Sequence, residues 1–420
     1  MKFSYPKTFL LGFGFFGVSV IWSIYNAYVP VMLQERFLLA TGFIGMFMTL
    51  DNIAALFIQP AVGTWSDNTR TRIGRRLPFI LVGAPVSALA FVFLPLASSL
   101  FLFFMAALFL LLGMAVWRTP VVALMPDITP SEHRSVGNGI INLMGGLGSI
   151  IAFLGGATLY EMNPEYPFLL GAVLVVVAAL LVLAFIREPK VYPSSNEDRP
   201  NLIKSVEGLF SADDKSPLLM LLAILFWFIS YNGIEAFFTL YAVNSLGLTA
   251  ADGSRLLGQL SVLFVIFALP AGYIGKALGR RTTIMIGIAL MAIGITTIFL
   301  LPQETLTHVV TKLPALGNVP VLGLILMGIG VAWACININS LPMVVDMTDD
   351  VHIGTFTGLY YLFSTVAAIL GPNIYGWIIQ LSKGNFDLVL LISPVFLVGA
   401  FLCMAFVKRG EAKKTLPVTD

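Results

Sequence analysis

The stretch from Leu100 to Met125, LFLFFMAALFLLLGMAVWRTPVVALM, contains a single charged side chain, that of Arg118. An α-helix of about 20 apolar residues crosses the roughly 30 Å hydrocarbon core of a bilayer, so this stretch is long enough to span a membrane. Apolar runs of similar length recur from one end of the chain to the other, with short polar joints between them. The pattern predicts an all-α, polytopic membrane protein.

The overall composition supports this prediction. Of the 420 residues, 58% are hydrophobic and 11% are charged, whereas soluble globular proteins carry about 25% charged residues. So few charges cannot cover a water-facing surface. The apolar runs predict twelve transmembrane spans, numbered one to twelve in chain order: 9–32, 42–63, 78–97, 100–125, 136–160, 166–187, 217–243, 254–275, 282–302, 319–344, 353–380 and 386–407.

Lysine and arginine residues are distributed unevenly between the two ends of the spans. If the N-terminus is cytoplasmic, nineteen of the 24 lie on the cytoplasmic side, and Arg118 lies inside a span. The other side has only four, which are Arg36, Arg255, Lys312 and Lys383. The positive-inside rule then predicts two cytoplasmic termini, in a plasma membrane or a bacterial inner membrane. The basic loops are topology signals, so we expect a lipid bilayer and no nucleic acid as a partner.

A polar, proline-containing stretch from Arg187 to Lys215 divides six spans from six. Short segments at matching places in the two halves of the chain are similar. ALMPDIT ends span four and PMVVDMT ends span ten, and a Gly-Arg-Arg triplet follows both span two and span eight. Spans three, six, nine and twelve carry no Asp, Glu, Asn, Gln, Lys or Arg in their interiors, which is typical of lipid-facing helices. We predict two pseudo-symmetric six-helix bundles and a cytoplasmic linker, with boundaries at 1–190, 191–216 and 217–420.

The loop after span two, Gly63–Arg76, reads GTWSDNTRTRIGRR and continues as LPFILVG. It resembles the loop motif of the major facilitator superfamily. In its lengthened form it resembles the glycoside-pentoside-hexuronide:cation symporter family, nearest the sucrose-transporter branch. The resemblance implies the major facilitator fold and a cytoplasmic gate that holds the two halves together in the outward-facing state. The residues that it assigns to this gate are Gly63, Asp67, Arg72, Gly74, Arg75, Arg76 and, as a further partner, Asp127.

The local chemistry of this loop fits such a gate. The Asp67 carboxylate can accept hydrogen bonds from nearby arginines, Gly63 permits close helix approach, and Gly74 permits a tight turn. The alternative is that the arginines serve only as positive-inside anchors. The matching loop of the second half has Lys276 where an acid would be needed, so we expect an incomplete gate there.

Three ionisable residues, Asp51, Arg118 and Glu235, lie well inside predicted spans. A charged side chain at the centre of a lipid-facing helix costs about 2.5 to 3.5 kcal/mol on insertion scales. We therefore expect all three in the protein interior or facing a cavity, where they are candidates for a binding site. A buried structural ion pair of Arg118 with either acid is the alternative.

Aromatic and amide side chains share helix faces near these charges. In span seven, one face carries side chains at i, i+3, i+4 and i+7, and spans one and ten have similar faces that include Trp22 and Ser340. Aromatic rings beside amides and carboxylates suit a sugar, although plain packing is the alternative. The predicted substrate-binding residues are Tyr25, Asn26, Arg118, Phe228, Tyr231, Asn232, Glu235, Trp333 and Asn337.

The resemblance fails at the coupling site. The melibiose-permease branch binds sodium with acids on spans two and four, where this chain has Ala55, Gln59 and Arg118. The span-four acid of plant sucrose transporters corresponds to Leu111. We therefore expect proton rather than sodium coupling. The candidate proton carriers are Asp51 and Glu235, because a partly desolvated acid near Arg118 could change protonation as a cavity opens and closes.

The three histidines lie in loops or near span ends, and no nucleotide-binding loop or metal-ligand spacing occurs in the sequence. We therefore expect no enzyme activity, no ATP-driven pumping, no metal and no cofactor. The leading hypothesis is a secondary transporter of a sugar or glycoside, with a disaccharide the expected size, that works by alternating access and proton symport as a single chain. The alternatives are an uncoupled sugar facilitator and an exporter of a drug-like or other small metabolite.

Overall fold

The computed structural model describes residues 4–129, 133–188, 202–211, 213–348 and 352–411. Within them, twelve helical segments are long and apolar enough to cross a membrane, which confirms the predicted number of spans. The single-helix spans are Tyr5–Glu35 (one), Leu77–Leu96 (three), Leu100–Ile128 (four), Tyr166–Phe185 (six), Ser216–Asn244 (seven), Ala250–Leu278 (eight), Arg280–Leu300 (nine), Val321–Val345 (ten), Ile353–Leu381 (eleven) and Leu388–Phe406 (twelve).

Spans two and five are interrupted. Their helices are Thr41–Met48 and Leu50–Asn68 in span two, and Arg134–Ile150, the π-helix Ile151–Gly155 and Gly156–Met162 in span five. The break in span two falls at Thr49, two residues before Asp51. A π-helical turn disturbs the regular helical hydrogen-bond ladder, and here the Phe153 carbonyl accepts a hydrogen bond of 2.9 Å from Ser254 Oγ in span eight.

The structure also contains short elements outside the spans. They are the helices Leu202–Ser211 and Gln303–Thr307 and the antiparallel hairpin of β1, Val309–Leu313, and β2, Gly317–Pro320. The buried Gln259 of span eight donates to the carbonyls of Leu316, at 3.2 Å, and Asn318, at 2.8 Å, so the hairpin is tied to span eight. Of the linker predicted over residues 191–216, residues 191–201 and 212 lie outside the described part of the chain.

Spans three, six, nine and twelve have no strongly polar side chains in their interiors, and they pack as lipid-facing helices are expected to pack. Span three packs against spans four and six, and span six against spans one and three. Span nine packs against spans ten and twelve, and span twelve against spans seven and nine. These helices leave apolar side chains such as Leu89, Phe93, Ile293 and Val395 exposed, as lipid-facing helices do. The two six-helix groups therefore meet through the more polar spans.

Contacts between the first six and the last six spans are tightest at one side of the molecule. We call the side that carries the Gly74–Arg76 loop the basic side, and the other the opposite side. On the opposite side, Thr41 Oγ1 donates to the Gly376 carbonyl at 3.0 Å, and Arg255 forms an ion pair of 2.7 Å with Glu161. A Cβ at Gly45 would lie 2.3 Å from the Pro372 carbonyl oxygen, so this approach of spans two and eleven requires glycine.

Candidate transport site

A polar cavity of about 300 Å³ lies between spans one, four, five and seven. This volume is at the lower end of the roughly 300–1,000 Å³ that small-molecule sites occupy. The hydroxyl, amide, guanidinium and carboxylate groups that line it offer both hydrogen-bond donors and acceptors. The polar lining residues are Ser19, Ser23, Asn26, Arg118, Asn142, Ser149 and Glu235.

The structure brings the three intramembrane ionisable residues together. Asp51 interacts electrostatically with Arg118 and with Glu235, and all three are half-buried. The Asp51 carboxylate accepts a hydrogen bond of 2.9 Å from Asn52 Nδ2. Arg118 is absent from the direct ion pairs found between described residues, so the structural ion pair considered above is not formed in this conformation.

The Asn26 side chain links the two halves at this cavity. It projects from span one towards Glu235 of span seven and acts on its carboxylate, and both residues line the cavity. Of the nine predicted substrate-binding residues, Asn26, Arg118 and Glu235 line the polar cavity. These three therefore form the part of the predicted site that is in contact with a cavity large enough for a ligand.

The aromatic residues of spans seven and ten pack on each other instead. The rings of Tyr231 and Trp333 stack with centroids 4.0 Å apart and 6° between their planes. Phe228 meets Trp333 edge to face, at 5.4 Å and 88°. Asn232 Nδ2 donates to the Phe228 carbonyl at 2.7 Å, and the Asn337 carbonyl accepts a 2.9 Å bond from Ser340. In this conformation none of these five predicted residues lines the polar cavity.

Tyr25 lies in the core and not at the cavity. It is 1% exposed, and its ring stacks on Phe47 with centroids 6.4 Å apart. Its neighbour Trp22, which shares the same helix face, lines the cavity and has a buried Nε1 without a hydrogen-bond partner among the described residues. The i+3 spacing groups these side chains on one face, but the packing of span one decides which of them reaches the cavity.

Several residues at or near the site were not predicted from the sequence, and Asn142 and Tyr361 are two of them. Asn142, in span five, lines the cavity. Tyr361, in span eleven, interacts electrostatically with Arg118 and is 57% exposed. Asn142 could have been found as an amide inside an otherwise apolar span, whereas Tyr361 gives no such signal because tyrosines are common in these helices.

The basic loop forms an ionic network inside the first half. Arg75 Nη2 lies 2.7 Å from Asp127, and Arg76 Nε lies 3.1 Å from the second oxygen of the same carboxylate. Arg76 also pairs with Asp67 at 2.5 Å. Arg72 is exposed and takes no part in the ion pairs of the described residues. Asp67 also lies 3.9 Å from Arg75, so both arginines share two carboxylates, of which Asp127 is the more buried.

Glu188 completes this loop and was not predicted. Its carboxylate accepts backbone hydrogen bonds from Arg75 at 2.8 Å and from Arg76 and Leu77 at 2.7 Å, so it satisfies the free amides at the start of span three. Gly74 has φ of 126°, and a Cβ there would lie 2.4 Å from the Glu188 carboxyl carbon. Gly63 makes only an ordinary contact, with Thr119 Cγ2 3.6 Å from its Cβ position.

The second half repeats most of this arrangement. The Glu411 carboxylate accepts backbone hydrogen bonds from Arg280 at 2.7 Å and Arg281 at 3.0 Å, and Arg280 pairs with Asp346. Gly279 has φ of 93°, like Gly74. The second half lacks an acid at the Asp67 position, and Arg281 donates to the Met404 and Ala405 carbonyls and not to Asp346, so its network is less complete than that of the first half.

A larger cavity of about 370 Å³ lies between spans three and four. Its lining is apolar and includes Leu89, Phe93 and Phe109, which are 61%, 54% and 57% exposed. It carries none of the ionisable residues and opens on the lipid-facing surface. It is therefore not the transport site.

Comparison with known proteins agrees with this architecture. The Major Facilitator Superfamily profile matches residues 11–265 and 256–420. The chain is 24% identical to the tetracycline resistance protein, class H, of Pasteurella multocida over 409 residues, which cover 96% of this chain and 94% of that protein. It is 27% identical to a sucrose transport protein of Arabidopsis thaliana over 139 residues, 28% of this chain and 23% of the relative. Its fold is similar to that of the nucleoside transporter NupG, with a TM-score of 0.74, 16% identity, and coverage of 96% and 100% of the two chains.

A twelve-span protein with a polar cavity between two six-helix groups is a membrane transporter. The chain belongs to the major facilitator superfamily. This confirms the broader of the two resemblances and the expectation of a non-enzymatic membrane protein. The narrower resemblance to the glycoside-pentoside-hexuronide:cation symporters remains a prediction.

Proposed function

We propose that this protein transports a sugar or glycoside of about disaccharide size by alternating access, in symport with protons. The observation that carries the proposal is the polar cavity, where Asn26 and Glu235 meet across the two halves and Arg118 forms no direct ion pair with another described residue. A sugar hydroxyl both donates and accepts hydrogen bonds, so it can be bound by a guanidinium and a carboxylate together. The indole N–H of Trp22 supplies a further unpaired donor.

The other six predicted binding residues would contact the sugar in a different conformation. They do not line the cavity in this conformation, so the spans would have to rearrange first. These residues are Tyr25, Phe228, Tyr231, Asn232, Trp333 and Asn337. The cavity lies at the basic side, and the tight contacts lie at the opposite side, which corresponds to an inward-facing conformation if both termini are cytoplasmic. The halves would then be residues 1–190 and 217–420, moving about the 191–216 linker.

The network of the basic loop supports a gate in the other conformation. Asp67, Arg75, Arg76 and Asp127 are already held in fixed positions within the first half. Closing the basic side would bring this rigid surface, with Arg72 exposed at its edge, against the second half. We place the protein as a single functional chain in a plasma membrane or bacterial inner membrane, with no metal and no cofactor.

The second candidate is an exporter of a drug-like metabolite. It is favoured by the tetracycline resistance relative, which matches along nearly the whole chain, whereas the sucrose transport relative matches about a quarter of it. An uncoupled sugar facilitator is the nearest variant of the first candidate.

A thermal-shift screen of the purified protein distinguishes the two candidates. We expect saturable stabilisation by a disaccharide that weakens at least about ten-fold in apparent affinity in Arg118→Ala, because the guanidinium faces the cavity. The matched control is Arg72→Ala, which removes an exposed arginine outside the cavity. Stabilisation by tetracycline and by no sugar would favour the exporter.

A further inference from the structure

A second, smaller cavity lies directly behind Glu235. Its volume is about 40 Å³, and it is enclosed by the opposite-side halves of spans five, seven, eight, nine, ten and twelve. Glu235 lines both this chamber and the polar cavity. The chamber also contains Tyr231 and Ser261. A carboxylate therefore stands between a cavity on the basic side and a chamber on the opposite side.

The chamber has room and partners for water. A buried water needs at least about 10–15 Å³ of this kind of volume and two to four polar partners. The chamber exceeds that volume at about 40 Å³, and its lining includes three residues with polar side-chain groups, Tyr231, Glu235 and Ser261. Ser261 Oγ donates to the Leu257 carbonyl at 2.9 Å, which leaves its lone pairs free to accept. Tyr231 is held in place by its stack on Trp333.

We infer that Glu235, rather than Asp51, carries the coupled proton, and that water in the chamber beside Tyr231 and Ser261 delivers it from the opposite side. This inference rests on the proposed proton symport. A hydronium ion in the chamber gives its proton to a Glu235 carboxylate oxygen and becomes water. After the conformational change the protonated Glu235 gives the proton to a water of the polar cavity, which becomes hydronium, and the carboxylate is regenerated. Asp51 lines neither cavity, so it lacks the access that a carrier needs on both sides.

Groups from several spans act electrostatically on the Glu235 carboxylate. Asn26 of span one acts on this carboxylate as a polar neighbour, and Asp51 of span two repels its charge. Arg118 of span four lies beside Asp51 and offsets that repulsion, while Tyr231 lies one helical turn away on the same span. Protonation of Glu235 removes its negative charge and thereby the repulsion from Asp51.

Hydroxyl-radical footprinting tests the chamber without a transported solute. Met291 lines the chamber although it is 1% exposed, whereas Met220, at 0% exposed, does not line it. We expect Met291 to oxidise about ten-fold faster than Met220 and to lose that excess in Ser261→Val, because the added methyls displace water. Equal oxidation of the two methionines in the wild-type protein would show a dry chamber and overturn the inference.

Transport into proteoliposomes then tests the proton route. In Ser261→Val we expect pH-gradient-driven accumulation of a labelled disaccharide to fall about ten-fold while exchange stays within about two-fold of wild type. Thr296→Val is the matched control, because Thr296 also bonds a carbonyl of its own helix, at 2.8 Å, and lies outside the chamber. Unchanged accumulation, or an equal loss of exchange, would overturn the route. Transport of tetracycline and not of sugar would overturn the proposed substrate alone, and the Ser261 comparison would then be made with tetracycline.

Discussion

Tyr231 of span seven and Trp333 of span ten stack face to face, with ring centroids 4.0 Å apart and planes 6° from parallel. This contact joins two spans within the second half, beside the Glu235 carboxylate. Such aromatic pairs contribute about 0.5–1.5 kcal/mol beyond the area they bury. The stack therefore fixes the position of the Tyr231 hydroxyl relative to Glu235.

We expect Trp333→Ala to lower the melting temperature of the purified protein and to weaken proton-driven accumulation, because Tyr231 loses its support. Trp333→Phe keeps a ring against Tyr231 and Phe228 and should recover most of the stability. Differential scanning fluorimetry and proteoliposome uptake measure the two effects. Full accumulation in a stable Trp333→Ala protein would show that the stack has no part in coupling.

The Asp127 network should contribute more to stability than the Asp67 contact. Asp127→Asn removes the more buried of the two carboxylates that pair with Arg75 and Arg76, whose side chains are 13% and 6% exposed, and we expect a loss of about 2 kcal/mol. Asp67→Asn removes a carboxylate that is 41% exposed, and there we expect a loss of less than about 1 kcal/mol. Denaturation of the two variants in the same detergent makes the comparison. The reverse order would contradict the assignment of the more buried Asp127 as the stronger of the two partners.

Gly74 and Glu188 should act as one unit. Gly74→Ala places a side chain at φ of 126° and against the Glu188 carboxylate, and Glu188→Ala removes the acceptor for three backbone amides. Each single change should destabilise the protein by about 1–3 kcal/mol. The double variant should lose less than the sum of the two, and a thermodynamic cycle of melting experiments measures the difference. Strict additivity would show that the two residues act independently.

Gly45→Val should prevent closure of the opposite side. Its Cβ would meet the Pro372 carbonyl oxygen at 2.3 Å, so spans two and eleven must separate. We expect a cysteine introduced by Gln380→Cys, in a background where Cys335 and Cys403 are replaced by serine, to react faster with an impermeant maleimide. Gly354→Val, in span eleven where a Cβ would have open space, is the control. Equal labelling rates in the Gly45→Val protein and the Gly354→Val control would contradict the closed contact between spans two and eleven.

The features that the sequence predicted share one physical cause, the cost of polar groups in lipid. From this cost the sequence predicted the twelve apolar spans and the position of Asp51, Arg118 and Glu235 away from lipid. In the structure Asp51 interacts electrostatically with both other residues, and Arg118 and Glu235 line one cavity. Glu188 and Glu411 could not be predicted from the sequence because each carboxylate binds backbone amides far away in the chain. Helix periodicity put Trp22 and Tyr25 on one face, but the packing of span one turned only Trp22 to the cavity.

The central claim is that the solute that crosses the membrane through the Asn26–Arg118–Glu235 cavity is a sugar and that a proton moves with it. The most direct test is uptake of labelled disaccharide into proteoliposomes with an imposed pH gradient, compared with an imposed sodium gradient at equal pH. We predict accumulation driven by the pH gradient alone and its loss in Glu235→Gln. Accumulation driven by sodium, or transport of tetracycline with no disaccharide uptake under either gradient, would contradict the account.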